Sequence, residues 1–283
     1  MKQKILQGFL LFFLLVMSTI NSQVFANEKI PEVHFIDVGQ SDCILIKSGK
    51  KNYLLDTGWG YHSSRVISYL QYNNIYKIDG IILTHYHDDH YGGMDMMLKS
   101  MKVNKVYLPR HEAKDKQKVL NCINKNKVKI VWIKKGWKLK ARGVYLEAIG
   151  PINNNLKNEN NNSIVLQGKV DNINYLFAGD CENAEEKDMI KEGLLKKCEV
   201  LKVSHHGFNT GTSDEFLDTI KPSVAIITSN GMYSPQDKLL NRLKSRNIDI
   251  FTTKDYGNLI IKNKKIKSTR VIKSILKNYD IKR

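Results

Sequence analysis

Several features are scarce in this chain of 283 residues, and each scarcity excludes a class of protein. The four cysteines lack the paired spacing that cysteine-based zinc domains use, which excludes such a domain as the basis of the fold. Beyond the N-terminal stretch, no apolar run is long enough to span a membrane, and no transmembrane partner is evident. No internal repeat of short period is present, which excludes a repeat protein.

Acidic residues are also scarce relative to basic ones, with 28 aspartates and glutamates against 45 lysines and arginines, a net charge of +17. A strongly basic protein favours polyanionic partners such as nucleic acid, teichoic acid or anionic lipid headgroups. Lysine and asparagine are abundant throughout the chain, however, including the asparagine-rich run at 153–162. A general compositional bias is therefore the alternative explanation of the charge.

The N-terminus has the pattern of a secretory signal peptide. Lys2 and Lys4 precede an apolar run at 9–17, and Val24-Phe25-Ala26 offers a small residue at the cleavage site. We expect a signal peptide at residues 1–26 and a secreted or extracytoplasmic mature protein, with an uncleaved membrane anchor as the alternative. Export permits disulfides, but their pairing cannot be read from the sequence.

The most informative stretch is T-H-Y-H-D-D-H-Y-G-G at 84–93, which follows a short apolar run typical of a buried strand. Imidazole and carboxylate ligands together suit zinc, manganese or iron. His85 and His87 can point toward one ion, while Asp89 and His90, further round the turn, can face a second. The alternative is a histidine-rich surface loop, but the glycine pair that ends the stretch supplies the tight backbone that a metal-binding turn needs.

Two further constellations follow predicted strands. Asp180 ends the segment F-A-G-D, and a carboxylate at this position could bridge two cations. His205 and His206 lie in S-H-H-G, directly after another apolar run. The G-D pair alone is a weak signal because it usually marks a turn, and H-H-G alone is a moderate one, but three such groups at strand ends, in this order, indicate one dinuclear site.

With these motifs the chain resembles the metallo-β-lactamase-fold hydrolases. It is more closely similar to the C-terminal hydrolase domain of the bacterial competence protein ComEC and its soluble relatives, through F-I-D-V-G-Q-S-D at 35–42, D-T-G at 56–58, residues 160–166 and S-H-H-G. The resemblance covers about residues 33–262. It implies an α/β fold, an αββα four-layer sandwich with the dinuclear site at one edge, in a domain at residues 27–269 followed by a basic tail at 270–283.

The resemblance also implies roles for the motif residues. Two divalent ions, zinc first and manganese as the alternative, would be bound. His85 and His87 would hold the first ion, Asp89 and His90 the second, and Asp180 would bridge them.

Four other positions have more open roles. His205 would complete the second site while His206 contacts substrate, although the reverse assignment stays open. Asp56 would orient a ligand histidine without binding metal. Many superfamily members have a further histidine ligand, whereas no histidine occurs here between His111 and Asp180. Asn160 would then be a weak ligand, or the first site would stay open.

The expected activity is hydrolysis of a phosphodiester in DNA or another polyanion, with Asp89, Asp180 and His206 at the reacting centre. Two cations about 3.5–4 Å apart can lower the pKa of a shared water toward about 7, and the hydroxide then attacks. Alternatives are hydrolysis of cell-wall or choline-linked phosphodiesters, which an aromatic cage would indicate, and a non-catalytic polyanion-binding module. The candidates for this aromatic cage are Trp59, Tyr86, Tyr91 and Tyr233. Hydrolysis of β-lactams is disfavoured. The sequence leaves the substrate, the metal and the oligomeric state open.

Overall fold

The computed structural model describes residues 30–155, 157–270 and 279–281. The expected signal peptide lies outside these residues, as does most of the expected tail. Within the described part of the chain, no helix combines the length and apolar character that crossing a membrane requires.

Strands dominate the fold. In chain order they are β1 (Glu32–Phe35), β2 (Ile44–Ser48), β3 (Lys51–Leu55), β4 (Lys77–Ile78), β5 (Gly80–Ile82), β6 (Lys102–Val103), β7 (Lys105–Pro109), β8 (Lys129–Ile133), β9 (Lys138–Ala141), β10 (Val144–Gly150), β11 (Val165–Val170), β12 (Ile173–Phe177), β13 (Val200–Lys202), β14 (Val224–Ile227), β15 (Asp249–Thr252), β16 (Leu259–Lys262), β17 (Lys265–Ser268) and β18 (Tyr279–Asp280). The α-helices are Ser63–Tyr72, Asp88–Tyr91, Met94–Ser100, Lys116–Lys125, Asn183–Lys191, Asp214–Ile220, Asp237–Lys244 and Thr253–Tyr256. Short 3₁₀ helices are Gly60–His62, Glu159–Asn162 and Ser204–Gly207.

Two large sheets form among the described residues. One has nine strands in the order β18-β17-β16-β1-β2-β3-β5-β7-β8, and the other has seven in the order β15-β14-β13-β12-β11-β10-β9. Each sheet has an antiparallel part built from hairpins and a parallel part connected through helices, as β5, β7 and β8 illustrate. The short strands β4 and β6 pair separately.

The core has one layer between the sheets and one layer on each outer face. Phe35 and Phe177, from opposite sheets, meet between them with ring centroids 6.3 Å apart. Helices cover the outer faces through apolar residues at helical spacing; Leu239 and Leu243 of Asp237–Lys244, for example, are fully buried. This arrangement confirms the expected αββα four-layer sandwich.

Site residues follow strand ends at one edge of the sandwich. Asp56 follows β3, and Asp180 follows β12 closely. The stretch 84–93, which we call the histidine turn, follows β5. Thr228 follows β14, and the 3₁₀ helix with both late histidines follows β13. Because the two sheets lie face to face, loops from both of them converge at this edge.

Three local features add to the sequence analysis. The helix Asp88–Tyr91 inside the histidine turn was not expected. The segment Tyr279–Asp280 pairs with β17 and Ile281 is buried, so these residues extend the sheet beyond residue 269, where the sequence placed the end of the domain. The cysteines are free thiols.

Candidate metal centre

Close backbone packing fixes the histidine turn. The Thr57 N–H donates to the carbonyl of His90 across 2.7 Å, and the Gly93 N–H donates to Gly58 across 2.8 Å. A side chain on Gly92 would place its Cβ 2.6 Å from the nitrogen of Gly60, and one on Gly93 would overlap the Thr57 carbonyl. The two glycines are therefore needed for close approach, which holds the helix Asp88–Tyr91 against the segment after β3.

Four predicted site residues meet in what we call the closed cluster: Asp89, His90, Asp180 and His206. One potential ligand atom from each lies within 4.8 Å of all the others. His206 Nε2 is 3.1 Å from Asp89 Oδ2 and 3.4 Å from Asp180 Oδ2, and His90 Nε2 is 3.2 Å from the same Asp180 oxygen. Three of the four side chains are buried, Asp89 being the partly exposed one.

Two buried polar atoms of the closed cluster have ion-pair contacts but, among the described residues, no hydrogen bond: His90 Nε2 lies 3.2 Å from Asp180 Oδ2, and Asp180 Oδ1 lies 3.8 Å from the Lys202 ammonium. Such atoms are rare, since buried polar groups are normally paired. Two imidazole nitrogens and two carboxylates that converge on one point fit a divalent cation, and this ligand set suits zinc or manganese.

The electrostatics of the closed cluster favour positive charge. Burial lowers the pKa of His90, but the carboxylates of Asp180, Asp89 and Asp56 outweigh it and hold that pKa well above its usual range. Burial likewise opposes a charged His206, yet Asp180 leads the interactions that raise its pKa to about 9. Burial raises the pKa of Asp180, but the two imidazoles keep it well below its ordinary value. A bound cation would provide the same stabilisation of the carboxylates.

Asp56 supports the closed cluster from behind. Its Oδ2 lies 2.7 Å from His90 Nδ1, and its two oxygens accept hydrogen bonds from the Thr84 N–H and hydroxyl, each at 2.8 Å. Asp56 is fully buried and adopts a φ of 61°, a conformation that an aspartate holds only when its surroundings require it. This contact fixes the His90 ring with Nε2 toward the cluster, as an orienting carboxylate would.

A second supporting group was missed in the sequence. Thr228 Oγ1 lies 3.2 Å from His206 Nδ1 and donates to Asp42 Oδ1 across 2.6 Å. The buried ammonium of Lys202 pairs with Asp42 and donates to the Gly179 carbonyl across 3.1 Å. The sequence feature that could have revealed this supporting group is the lysine within the apolar strand β13, because a buried lysine requires a carboxylate partner.

His85 and His87 form a separate unit, the open pair. His85 Nε2 and His87 Nδ1 are 2.9 Å apart, so the two rings converge on the same point. His85 is buried, and burial holds its pKa well below the usual value, whereas 43% of the His87 side chain is exposed. The open pair borders the closed cluster, with ring centroids of His85 and His90 4.1 Å apart.

Asn160 lies in the 3₁₀ helix beside the open pair. Its Nδ2 donates to Glu182 Oε1 across 3.0 Å, while its buried Oδ1 has no hydrogen-bond partner within the described part of the chain. The preceding residue, Glu159, accepts from the Tyr86 N–H at 2.8 Å and has its other oxygen 3.7 Å from His87 Nε2. The asparagine-rich helix therefore borders the open pair and carries an unpaired oxygen.

The two late histidines are placed in the opposite way from the one that the sequence favoured. His206 belongs to the closed cluster, whereas His205 lies at its margin, with Nε2 4.0 Å from Asp180 and Nδ1 3.2 Å from Glu182 Oε1. Consecutive left-handed conformations, with φ of 46° and 52°, turn the two rings in different directions. The structure therefore places His206 among the possible ligand side chains of the closed cluster and leaves His205 outside them.

A family model described as "Metallo-beta-lactamase superfamily" matches residues 36–229, a range that contains the closed cluster and the open pair. The chain belongs to the metallo-β-lactamase superfamily.

The chain has relatives that include a competence protein: Competence protein ComA of Neisseria gonorrhoeae is 25% identical over 235 residues, which cover 80% of this chain and 32% of that protein. ComE operon protein 3 of Bacillus subtilis (strain 168) is 29% identical over 252 residues, which cover 81% of this chain and 32% of that protein. Recombination protein 2 of Haemophilus influenzae (strain ATCC 51907 / DSM 11121 / KW20 / Rd) is 28% identical, with 72% and 25% covered. The chain thus spans about a third or less of these relatives.

A solved structure shows the same fold. The metallo-β-lactamase fold protein YhfI from Bacillus subtilis superimposes with a TM-score of 0.54 at 14% identity, covering 78% of this chain and 95% of that protein. At this identity the likeness establishes the superfamily fold and no specific activity.

Proposed function

We propose that this protein is a metal-dependent phosphodiesterase that acts on DNA or another phosphodiester polyanion. The observation that carries the proposal is the closed cluster, in which one potential ligand atom from each of Asp89, His90, Asp180 and His206 lies within 4.8 Å of all the others. Two imidazoles and two carboxylates gathered this closely, with three of the four side chains buried, form a ligand set of the kind that holds a divalent ion in proteins.

Two divalent ions, zinc first and manganese as the alternative, would be held by the two neighbouring units. The closed cluster would bind one ion, and the open pair would bind the other with the Asn160 oxygen as a weak ligand. Asp180, which faces both imidazoles of the closed cluster, would be the shared ligand. When bound, such a pair of ions supplies a water of lowered pKa and stabilises negative charge on a phosphoryl oxygen.

The surrounding residues of the chain prepare this site. Asp56 holds His90, and Asp42 holds His206 through the Thr228 hydroxyl, so both rings are oriented before any ion binds. His205 is 23% exposed at the margin and is anchored by Glu182, which lets it contact a substrate phosphate without binding metal.

Phosphodiesters are favoured as substrates by the competence-protein relative and by the net charge of +17. A choline-linked substrate is less well supported. Tyr86 is fully buried and donates to the Pro109 carbonyl, so it cannot line a cage. The ammonium of Lys118 already lies 5.2 Å from the ring centroid of Tyr91. The non-catalytic polyanion-binding module stays the alternative, and the hydrolysis assay separates it from an enzyme.

Metal analysis of the purified protein with assays on bis-p-nitrophenyl phosphate, single-stranded DNA and double-stranded DNA tests the proposal. We expect bound divalent metal and hydrolysis that a chelator abolishes. The isosteric Asp180→Asn variant serves as the control, because it removes the shared carboxylate charge with little change in volume. Turnover that survives both the chelator and this substitution would contradict the assignment.

The location of the protein is a separate proposal. We propose that residues 1–26 direct export and are removed, which would place the enzyme among extracellular polyanions. N-terminal sequencing of protein recovered outside the cell should begin at Asn27. An intact Met1 on cytoplasmic protein would contradict export, and Met1 on membrane-bound protein would indicate the uncleaved anchor.

A further inference from the structure

A cavity of about 720 Å³ opens at the end of the sandwich opposite the closed cluster. Its walls include the β2–β3 turn, the β9–β10 turn and the loop after Ser63–Tyr72. Strand β2 begins two residues after Asp42, and β3 ends one residue before Asp56, so both strands run from the metal site to this cavity. Five extended residues span roughly 17 Å, so the cavity lies too far from the closed cluster for one small substrate to contact both.

Basic side chains dominate the walls of this cavity, which we call the hairpin groove: Lys47, Lys50, Lys51, Lys140 and Arg142. Among the described lining residues there is no aspartate or glutamate; the other polar side chains are serine and asparagine. Lys47 is paired with Glu32 at 3.1 Å. Lys50 and Lys51 are exposed and have no ion-pair partner within the described part of the chain.

A groove whose described lining residues include several basic side chains and no carboxylate concentrates positive potential, and it suits a chain of phosphates better than a single small anion. A second cavity at the same end, which we call the control cavity, shows the contrast. It is lined by Lys169, Lys197 and Lys221 but also contains the carboxylate of Glu199. The hairpin groove thus differs from the control cavity because its described lining residues include no carboxylate.

Three tyrosines neighbour residues that line the hairpin groove, two of them along the chain and one across a strand pair. Tyr72 and Tyr76 flank the wall segment 73–75 in the chain, and they are 87% and 63% exposed. Lys140 lies 5.9 Å from the ring centroid of Tyr145, its cross-strand neighbour. Large exposed tyrosines stabilise no core, whereas beside a basic groove they can stack on unpaired bases.

We propose that the hairpin groove binds the backbone of single-stranded nucleic acid, with Tyr72 and Tyr76 stacking on its bases. Cations track the phosphates while aromatic faces accept any base, which is the combination that sequence-independent single-strand binding uses. The groove is a binding site remote from the metal centre, so it would retain a long strand without touching the reacting bond. A polymer without bases would use the lysines but would gain nothing from the tyrosines.

The charge arm of the test compares two triple variants of the full-length protein. Lys50→Gln/Lys51→Gln/Lys140→Gln should weaken binding of a labelled oligothymidylate of about 20 nucleotides at least tenfold at about 0.1 M salt, and should lower the slope of log affinity against log salt by about 2. Lys169→Gln/Lys197→Gln/Lys221→Gln removes the same charge from the control cavity and should change affinity less than threefold. Equal losses from the two variants would overturn the site, because the binding would then reflect diffuse charge.

The aromatic arm identifies the ligand. Tyr72→Ala/Tyr76→Ala should weaken binding of the oligonucleotide about tenfold or more, since stacking on each ring typically contributes about 1–3 kcal/mol per base, but should leave the affinity for inorganic polyphosphate unchanged. Oligonucleotide binding that is unaffected, or an equal loss for polyphosphate, would overturn the nucleic-acid assignment in favour of a polyanion without bases. Circular dichroism checks the fold, which exposed substitutions should preserve.

This proposal can fail independently of the proposed activity. The triple variant at the hairpin groove should hydrolyse bis-p-nitrophenyl phosphate at the wild-type rate, because the small diester needs no remote contact. A wild-type protein that binds oligonucleotide through the groove but never hydrolyses the diester would refute only the phosphodiesterase. Loss of diester hydrolysis in a folded groove variant would show that the groove is not a separate site.

Discussion

The closed cluster and the open pair are neighbours with opposite construction. In the closed cluster, Asp180 and both imidazoles are buried, and Asp56 and Thr228 hold the rings from behind. In the open pair, His87 is 43% exposed, and the two imidazoles contact each other. A preorganised, desolvated ligand set binds an ion more tightly than one that must be assembled. We therefore expect the two proposed ions to bind with unequal affinity.

The inequality follows from the chain's departure from the usual superfamily ligand set. The chain has no histidine between His111 and Asp180, and the asparagine-rich 3₁₀ helix borders the open pair instead. An amide oxygen such as Asn160 Oδ1 is a neutral and weaker ligand than imidazole for zinc. We therefore expect the ion at the open pair to exchange more readily.

The largest effect should come from the residue shared by both units. Asp180→Ala should lower turnover of bis-p-nitrophenyl phosphate about a thousandfold or more, because a two-ion site stabilises the transition state by several kcal/mol. The fold should survive, since Asp180 lies on a loop after β12. Asp218→Ala, at an exposed ion pair, is the matched control and should be silent. Wild-type turnover and metal content in the Asp180 variant would contradict the two-ion assignment.

Removing one ligand from each unit in turn tests whether the closed cluster and the open pair bind metal differently. His87→Ala should keep one tightly bound ion, whereas His206→Ala should lose the tighter ion and keep the weaker. Either variant should lose about a hundredfold or more in turnover, because both ions are needed. Metal content after gel filtration separates the two outcomes. Equal retention of metal by the two variants would show that the units do not differ.

A smaller effect on metal binding should follow from changing a side chain that orients a ligand but is not itself a ligand. Asp56→Asn keeps the volume but weakens the contact that orients His90, and the loss of such a supporting carboxylate typically costs about 10–100-fold in metal affinity. Competition with a chromophoric chelator measures it. The tighter ion should be affected more, since Asp56 contacts His90 directly and reaches His85 of the open pair only through the Thr84 hydroxyl, which lies 3.1 Å from His85 Nδ1. Weakening of both ions alike would contradict the division into two units.

The smallest expected effect is the change of metal affinity with pH. The pKa of His206 is raised to about 9, so an ion entering the closed cluster must displace a proton below that pH. Its affinity should rise between pH 7 and 9, by at most about tenfold per pH unit for each proton. Burial holds the pKa of His85 well below its usual value, so this ring is already neutral, and affinity at the open pair should change less. Titrations of His87→Ala and His206→Ala should therefore give different slopes, and equal slopes would contradict this account.

Much of the fold and the position of the site could be predicted because their signals are local. The histidine turn, the F-A-G-D segment and S-H-H-G each follow an apolar run, and strand ends of face-to-face sheets meet at one edge. The expected contact between Asp56 and a ligand histidine is present in the structure.

The remainder depends on contacts that no local pattern encodes. Two consecutive left-handed residues decide that His206 points inward and His205 does not, and non-glycine residues rarely adopt this conformation. The group of Asp42, Lys202 and Thr228 comes from three separate parts of the chain. A lysine in a buried strand signals that some carboxylate must lie nearby, but it does not say which one.

Titration of metal-depleted protein with zinc, with bound metal and hydrolysis of bis-p-nitrophenyl phosphate followed in the same samples, tests the central claim most directly. The account predicts a tight first equivalent with little hydrolysis, followed by a weaker second equivalent with which hydrolysis appears. Full hydrolysis after one equivalent, or hydrolysis before any metal is added, would contradict it.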